Sequence, residues 1–303
     1  MTTKNRVNGF ALLAAASVVT VPAFAQTLGS DTNYAFVDLS SGSTLGLNQA
    51  EINGPSLLGN GVTANFSGGN GGGYGTFSYD STVLGTSTFS KLQPLPAFNL
   101  VSTSVTNTAL TDAVNYANYA KGLAATQTFG AIASGQTITG TAGLNVIDVT
   151  NINNVAWTLN GPSNAFFIIN VSGYINENQP MSISGGITGA NILFNFTGNG
   201  SGNGGAVFQT SGGDTQYGTY LLAATGSGGK MQFSNLDIVQ GALIDAVAGS
   251  NVQFVSGAKI QSFTPVPLPP AAWLLLSGLG GLGLFGRRRL ASHSEPVVGD
   301  ATA

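Results

Sequence analysis

The sequence predicts a mainly β chain wound as an irregular β-solenoid with one flanking α-helix. Three observations carry that reading. Between residues 132 and 263, short apolar runs recur every ten residues or so, separated by Gly, Asn, Ser or Asp, the punctuation of short strands. The chain holds 44 glycines in 303 residues and only 7% charged side chains, a composition suited to stacked coils in which each turn pairs with its neighbours. Helical spacing is confined to one place in the body of the chain. No strict repeat period is visible, so a β-sandwich of the jelly-roll kind is the structural alternative.

The elements follow in order. Lys4 and Arg6 precede an apolar stretch from Phe10 to Val21, and Ala23-Phe24-Ala25 stands before Gln26. This is the three-part pattern of a secretory signal, with Ala23, Ala25 and Gln26 marking cleavage by signal peptidase and residues 1–25 forming a signal helix. Residues 26–263 are expected to be the exported β-rich domain. Its first part, residues 30–105, carries strand-like runs at Ala35-Phe36-Val37, Ser56-Leu57-Leu58 and Thr76-Phe77-Ser78-Tyr79, with a loop at 67–75 and an irregular connector around Pro94 and Pro96. Leu110, Ala113, Val114, Ala117 and Ala124 fall at helical spacing, which predicts a helix over about 108–123, N-capped by Thr106 or Thr108 and ending near Gly122. Strands are then expected at 137–140, 144–149, 155–159, 165–171, 191–196, 206–209, 217–223, 230–233, 237–239, 242–246, 252–255 and 259–263.

The C-terminal end is hydrophobic again. Four prolines between Pro265 and Pro270 lead into an apolar run from Ala271 to Gly286, closed by Arg287, Arg288 and Arg289. An apolar stretch before an arginine cluster is a stop-transfer pattern, with the arginines and the tail 290–303 on the cytoplasmic side. The run is 16 residues long, about 24 Å as a helix. That is short of the ~30 Å hydrocarbon core, and five of the sixteen residues are glycine. The expectation is a temporary membrane anchor, cleaved near Pro267–Pro269.

Between these ends the domain has ten acids, four lysines and no arginine, a net charge of −6. A surface without a cationic footprint is not one for nucleic acid. Cysteine is absent, and the single histidine, His293, stands beyond the arginine cluster. The domain therefore has no thiol nucleophile, no Ser-His-Asp triad and no histidine metal ligand. The acids are scattered; Asp237 and Asp245, eight apart, are the pair that adjacent strands would bring together in the manner of a glycosidase. No catalytic residues, no metal residues and no cofactor are expected. Calcium has one weak sequence hint, Asp214 after Gly212-Gly213, because acidic, Asn-rich loops supply hard oxygens. Asn170-Val171-Ser172 matches a glycosylation sequon and reads as a chance match.

Two resemblances add to this. Val266-Pro267-Leu268-Pro269, the Gly-Leu-rich apolar run and Arg287–Arg289 together resemble the PEP-CTERM class of sorting signal in its VPLPA variant, with Pro270 where alanine is usual. That implies processing by an exosortase in the inner membrane of a Gram-negative bacterium, then release to the cell surface or an exopolysaccharide matrix. Within the domain, Tyr34–Val37, Glu51–Gly54, the 110–123 helix, Gly143–Val149, Phe167–Gly173, Leu193–Phe196 and Leu221–Ala224 resemble, in order, segments of the choice-of-anchor A family of surface proteins. The two sorting ends, the strand-rich Gly/Asn/Ser body and the missing catalytic side chains lead to the expectation of a non-enzymatic structural or adhesive surface protein with a surface polymer as partner. The helix beside stacked coils is also similar to ice-binding β-solenoids, although no regular Thr-x-Thr ladder is legible in the sequence. A carbohydrate- or ice-binding module, with Tyr74, Tyr79, Tyr217 or Tyr220 on its surface, is therefore the alternative function.

Overall fold

A computed structural model describes residues 28–66, 75–83, 97–199, 205–212, 214–224, 229–235, 237–255 and 257–262. The signal-cleavage residues Ala23, Ala25 and Gln26, and the sorting residues Val266 to Pro269 and Arg287 to Arg289, lie outside them, as does the 271–286 span. Among the described residues no helix is long and apolar enough to cross a membrane.

The domain is a β-solenoid whose strands all pair in parallel, as three ladders that form its three faces. The first face runs from Gln127–Ala131 through 143–149, 165–171, Ile192–Phe196, 219–222 and 242–245. It then continues into the beginning of the chain: Phe36–Asp38, Ser56–Leu58, Phe77–Asp80 and Phe98–Val101. The second face stacks 151–153, 174–177, Ala206–Ser211, Lys230–Ser234, Asn251–Val255, Thr44–Leu47 and Thr63–Phe66. The third has two blocks. One is Thr137–Thr139, Trp157–Asn160 and Met181–Ser184. The other is 215–217, 237–239, Lys259–Gln261 and Glu51–Asn53.

Spatial order is thus not chain order. The first strand pairs with the 237–245 strand, Phe36 opposite Leu243, and the early coils stack outward from there. One helix, α1 (Thr103–Lys121), then carries the chain along the first face to the other end, where the later coils begin. The helix starts at Ser102, earlier than Thr106 or Thr108, because Val105 N–H already bonds the Ser102 carbonyl; Gly122 caps its end as expected.

Burial follows from this arrangement. On the second face only every other side chain points inward, as in Leu45/Leu47, Met231/Phe233 and Val252/Phe254. The middle strands of the first face are covered on both sides, so Ile192–Phe196 is buried throughout, whereas the end strands Gln127–Ala131 and Phe98–Val101 are largely exposed. The helix lays Ala109, Ala113, Tyr116, Ala117 and Ala120 against Val37, Leu57, Ile168, Leu193, Leu221 and Ile244. Small alanines let it sit close, and each large aliphatic so covered contributes about 1.5–3 kcal/mol. Inside the coil, rings form a continuous column: Trp157, Phe194, Tyr220, Phe208, Phe233, Phe254 and Phe36, with successive centroids 4.6–6.3 Å apart.

Several expectations need correction. The runs 237–239 and 242–246 are one strand, Asp237–Asp245, bent at Gln240 (φ 52°) and Gly241. A bulge keeps both halves in ladders while the chain turns a corner. Gly241 is fixed by contact there: a Cβ on it would stand 2.0 Å from the carbonyl oxygen of Gly218, the matching corner one coil earlier. Gln127–Ala131 and Met181–Ser184 are strands that the sequence pattern did not reveal. Asp237 and Asp245 sit at opposite ends of a single strand, in different ladders, and not on adjacent strands.

Candidate functional site

The second face carries the most regular polar array. Asn153, Asn176, Gln209, Gln232, Gln253, Gly46 and Asn65 occupy one register position in successive coils. Six of the seven are carboxamides, and none is charged. They alternate with the inward residues, so the same pleat that buries Phe233 and Phe254 turns Gln232 and Gln253 outward. Neighbouring strands stand ~4.8 Å apart, a spacing at which carboxamides bond one another along the stack. Asn176 Nδ2 donates to Asn153 Oδ1 at 2.9 Å. Beside this column, Lys230, Asn251, Thr44 and Thr63 share a second register position.

The third face adds a hydroxyl array. Thr137, Thr158 and Ser182 align, as do Thr139, Asn160 and Ser184, and Ser184 Oγ donates to Asn160 Oδ1 at 3.0 Å. A three-coil Thr-x-Thr-like ladder therefore exists where the sequence showed none. Its rows are Thr-x-Thr, Thr-x-Asn and Ser-x-Ser, about twenty residues apart, and the last lies on the strand that the pattern missed.

Asparagines that resemblance singled out do structural work instead. Asn195 Nδ2 donates to Ala117 O at 3.0 Å and to Asn170 Oδ1 at 2.9 Å. Asn170 Nδ2 in turn donates to Ala120 O and to Asp148 Oδ1, both at 3.1 Å. These bonds give two carbonyls near the end of α1 an added side-chain donor and fasten the helix to the first face. With its amide so engaged and buried, Asn170 offers no acceptor for glycan transfer in the folded chain. Asn145 closes its own corner, taking Thr141 N–H at 2.9 Å and donating to Thr141 O at 2.8 Å.

The tyrosines do not form a shared platform. Tyr220 is wholly buried, stacked between Phe194 and Phe208. Tyr79 packs edge-on to Phe98 at 6.1 Å, and Tyr217 is partly buried against the core; Tyr74 lies outside the described residues. Tyr174, which the sequence reading passed over, lies beside Asn151 on the second face.

The buried acids are structural. Asp38 and Asp245 face each other in register where the first strand meets the 237–245 strand, and both are fully buried. Asp38 accepts from Ser43 Oγ at 2.8 Å and Ser40 Oγ at 2.9 Å, and Asp245 from Ser250 Oγ. Burial raises the Asp38 carboxyl to about 6 against the lowering by its serine bonds. Burial and the charge of Asp38 raise Asp245 well above its ordinary range. No substrate reaches such a pair. A cleft of ≈ 200 Å³ lined by Lys121, Thr128, Asp148, Asn170 and Thr197 opens near the end of α1, below the ~300–1,000 Å³ of ligand pockets. The chemistry available is that of extended surfaces.

No family model matches the sequence, and no curated protein matches it. The fold is shared with solved ice-binding proteins. A glycosylated ice-binding protein from an Arctic yeast aligns with a TM-score of 0.52 at 16% identity, over 80% of this chain and 96% of that one. An ice-binding protein from an Antarctic biological consortium aligns with a TM-score of 0.51 at 17% identity, over 82% and 95%. At such identities the likeness is one of fold.

Proposed function

We propose that this chain is an exported, non-enzymatic binding module that lays its second face on an extended ordered surface, ice being the first target. The observation that carries this is the in-register column of uncharged carboxamides from Asn153 to Asn65. Regularly spaced donors and acceptors without fixed charge match a lattice of hydroxyls or water, where a charged side chain would hold its own hydration shell. The hydroxyl array on the third face is of the same kind. The shared fold supports the reading. The test is partition of the purified 26–263 domain into slowly growing ice, together with thermal hysteresis. Uptake into ice that is abolished by Gln232→Lys without loss of folding is expected; exclusion of the wild-type domain from ice overturns the ice reading.

A second reading follows from the two ends of the chain and from Tyr174 beside the carboxamides, a pairing that suits sugar rings as well. Here the module is a cell-surface or matrix protein, held briefly in the inner membrane, released by an exosortase acting at Val266–Pro269, and adhesive toward exopolysaccharide. Mass spectrometry of the secreted protein checks the processing: a C-terminus at Ala303 rejects it. Retention of the domain on the producer's own polysaccharide, with no uptake into ice, favours this reading over the first.

A further inference from the structure

A second polar cluster lies inside the coil, at the corner between the second and third faces. Glu177 ends the Ala165–Glu177 strand and stands in register with Thr210 of the next coil. Asp214 follows four residues later in the corner that leads into Thr215–Leu222. The corner is closed down on the earlier coil, with Gly212 (φ +136°) placed so that a Cβ would touch Asn178 at 3.5 Å. Glu177, Thr210, Asp214 and Gln216 are 1–3% exposed.

Their hydrogen bonding is incomplete. Glu177 Oε2 accepts from Val155 N–H at 3.0 Å, Gln216 Nε2 donates to Gln179 O at 3.3 Å, and Tyr220 OH donates to Gln216 Oε1 at 3.4 Å. Glu177 Oε1, Asp214 Oδ2 and Thr210 Oγ1 are buried with no hydrogen-bond partner. Buried oxygens without partners cost about 1–3 kcal/mol each, and more if charged, so three in one corner call for a compensating group. The two carboxylates lie close enough that Asp214 adds to the burial that pushes Glu177 up to about 8.

We infer that Glu177 and Asp214, assisted by Thr210 Oγ1, hold a calcium ion that ties adjacent coils together at this corner. The donors are all hard oxygens, two of them on carboxylates whose paired charge a divalent cation balances. Calcium tolerates the irregular coordination that a bent corner offers, and water or backbone carbonyls complete it. Nitrogen and sulfur donors are missing, which disfavours zinc. Among the described residues no three His, Cys, Asp or Glu side chains converge, so an affinity in the range of extracellular calcium modules, about 0.1–1 mM, is expected.

The experiment uses the secreted chain stripped with chelator and titrated with calcium chloride, with melting temperature as one readout. Terbium luminescence sensitised by the nearby Tyr220 is the other. Saturable calcium-dependent stabilisation of several degrees is expected, with terbium emission displaced by calcium and both effects lost in Asp214→Asn. Tyr220→Phe should keep the calcium-dependent melting and lose the emission, which places the ion even if Asp214→Asn folds poorly. Identical melting with and without millimolar calcium overturns the inference and assigns the pair a shared proton. Calcium-dependent stabilisation that persists in folded Asp214→Asn overturns it as well, by placing the ion elsewhere.

Discussion

The rings of Phe36 and Phe254 meet edge to face at 5.5 Å, although one belongs to the first strand of the solenoid and the other to the next-to-last. Their contact carries the aromatic column across the seam between the beginning and the end of the domain. Phe254→Ala removes a ring from a site where both neighbouring coils are fixed by ladder bonds, so collapse around the gap is limited. A loss of about 3–5 kcal/mol is expected, measured by denaturant unfolding. Limited proteolysis should then cut first in the early coils, which the seam and α1 hold to the rest.

Stability should rise on mild acidification. The Asp38 carboxyl is raised to about 6 by burial, Asp31 to about 8 by burial and then by the charge of Asp112, and Asp245 well above its ordinary range by burial and then by the charge of Asp38. A carboxyl raised in the folded state contributes stability that is complete below its unfolded value of about 4. That stability is lost as pH climbs through the folded value. Calcium-free protein should therefore melt higher at pH 5 than at pH 9. Asp245→Asn, which removes one charge of the facing pair, should flatten that slope between pH 6 and 9; an unchanged slope would show that the seam pair does not titrate.

Gly46 is the one gap in the carboxamide column. Its backbone lies outside the left-handed region, and a Cβ there would meet Gln253 Cγ at 3.7 Å, an ordinary contact. Gly46→Asn should complete the column and stabilise the domain by about 0.5–1 kcal/mol through reduced chain entropy. Thermal melting checks the sign, and ice or polysaccharide binding should hold or improve.

The clasp between α1 and the first face rests on Asn195 and Asn170. Asn195→Ala leaves the Ala117 carbonyl and Asn170 Oδ1 without their donor in a buried site, at a cost of about 1–3 kcal/mol. Hydrogen exchange should quicken in the last turns of α1 before it does in the ladders beneath.

What the sequence made legible was local. Short apolar runs with Asn and Gly at the corners announced a solenoid, and most strands fall where the runs are, because inward side chains must be apolar whatever the stacking order. The helix was visible from its alanines, though its first turn, Thr103 to Val105, is exposed and carries no apolar periodicity that would have marked it. The stacking order was not legible. Coils vary from 19 residues, Thr44 to Thr63, to 33, Ile175 to Phe208, so no period survives in the sequence. The carboxamide column suffers most from this: Gln253 and Gly46 are neighbours in space, yet nothing in the chain between them says so. The calcium corner had one trace, the glycines before Asp214, but Glu177 gave none because its partner coil was unknown.

The placement of the first strand against the strand of Asp237 to Asp245 has a consequence for how the protein comes into being. A solenoid built in chain order can grow turn by turn as it leaves the ribosome or a translocation channel. Here the later coils can stack in chain order, but the earliest coils have no platform to rest on until residues near 245 and 255 have emerged. Closure across such long separations is slow, and residues 36–101 stay open and threadable until then, which is the state in which a polypeptide crosses a membrane.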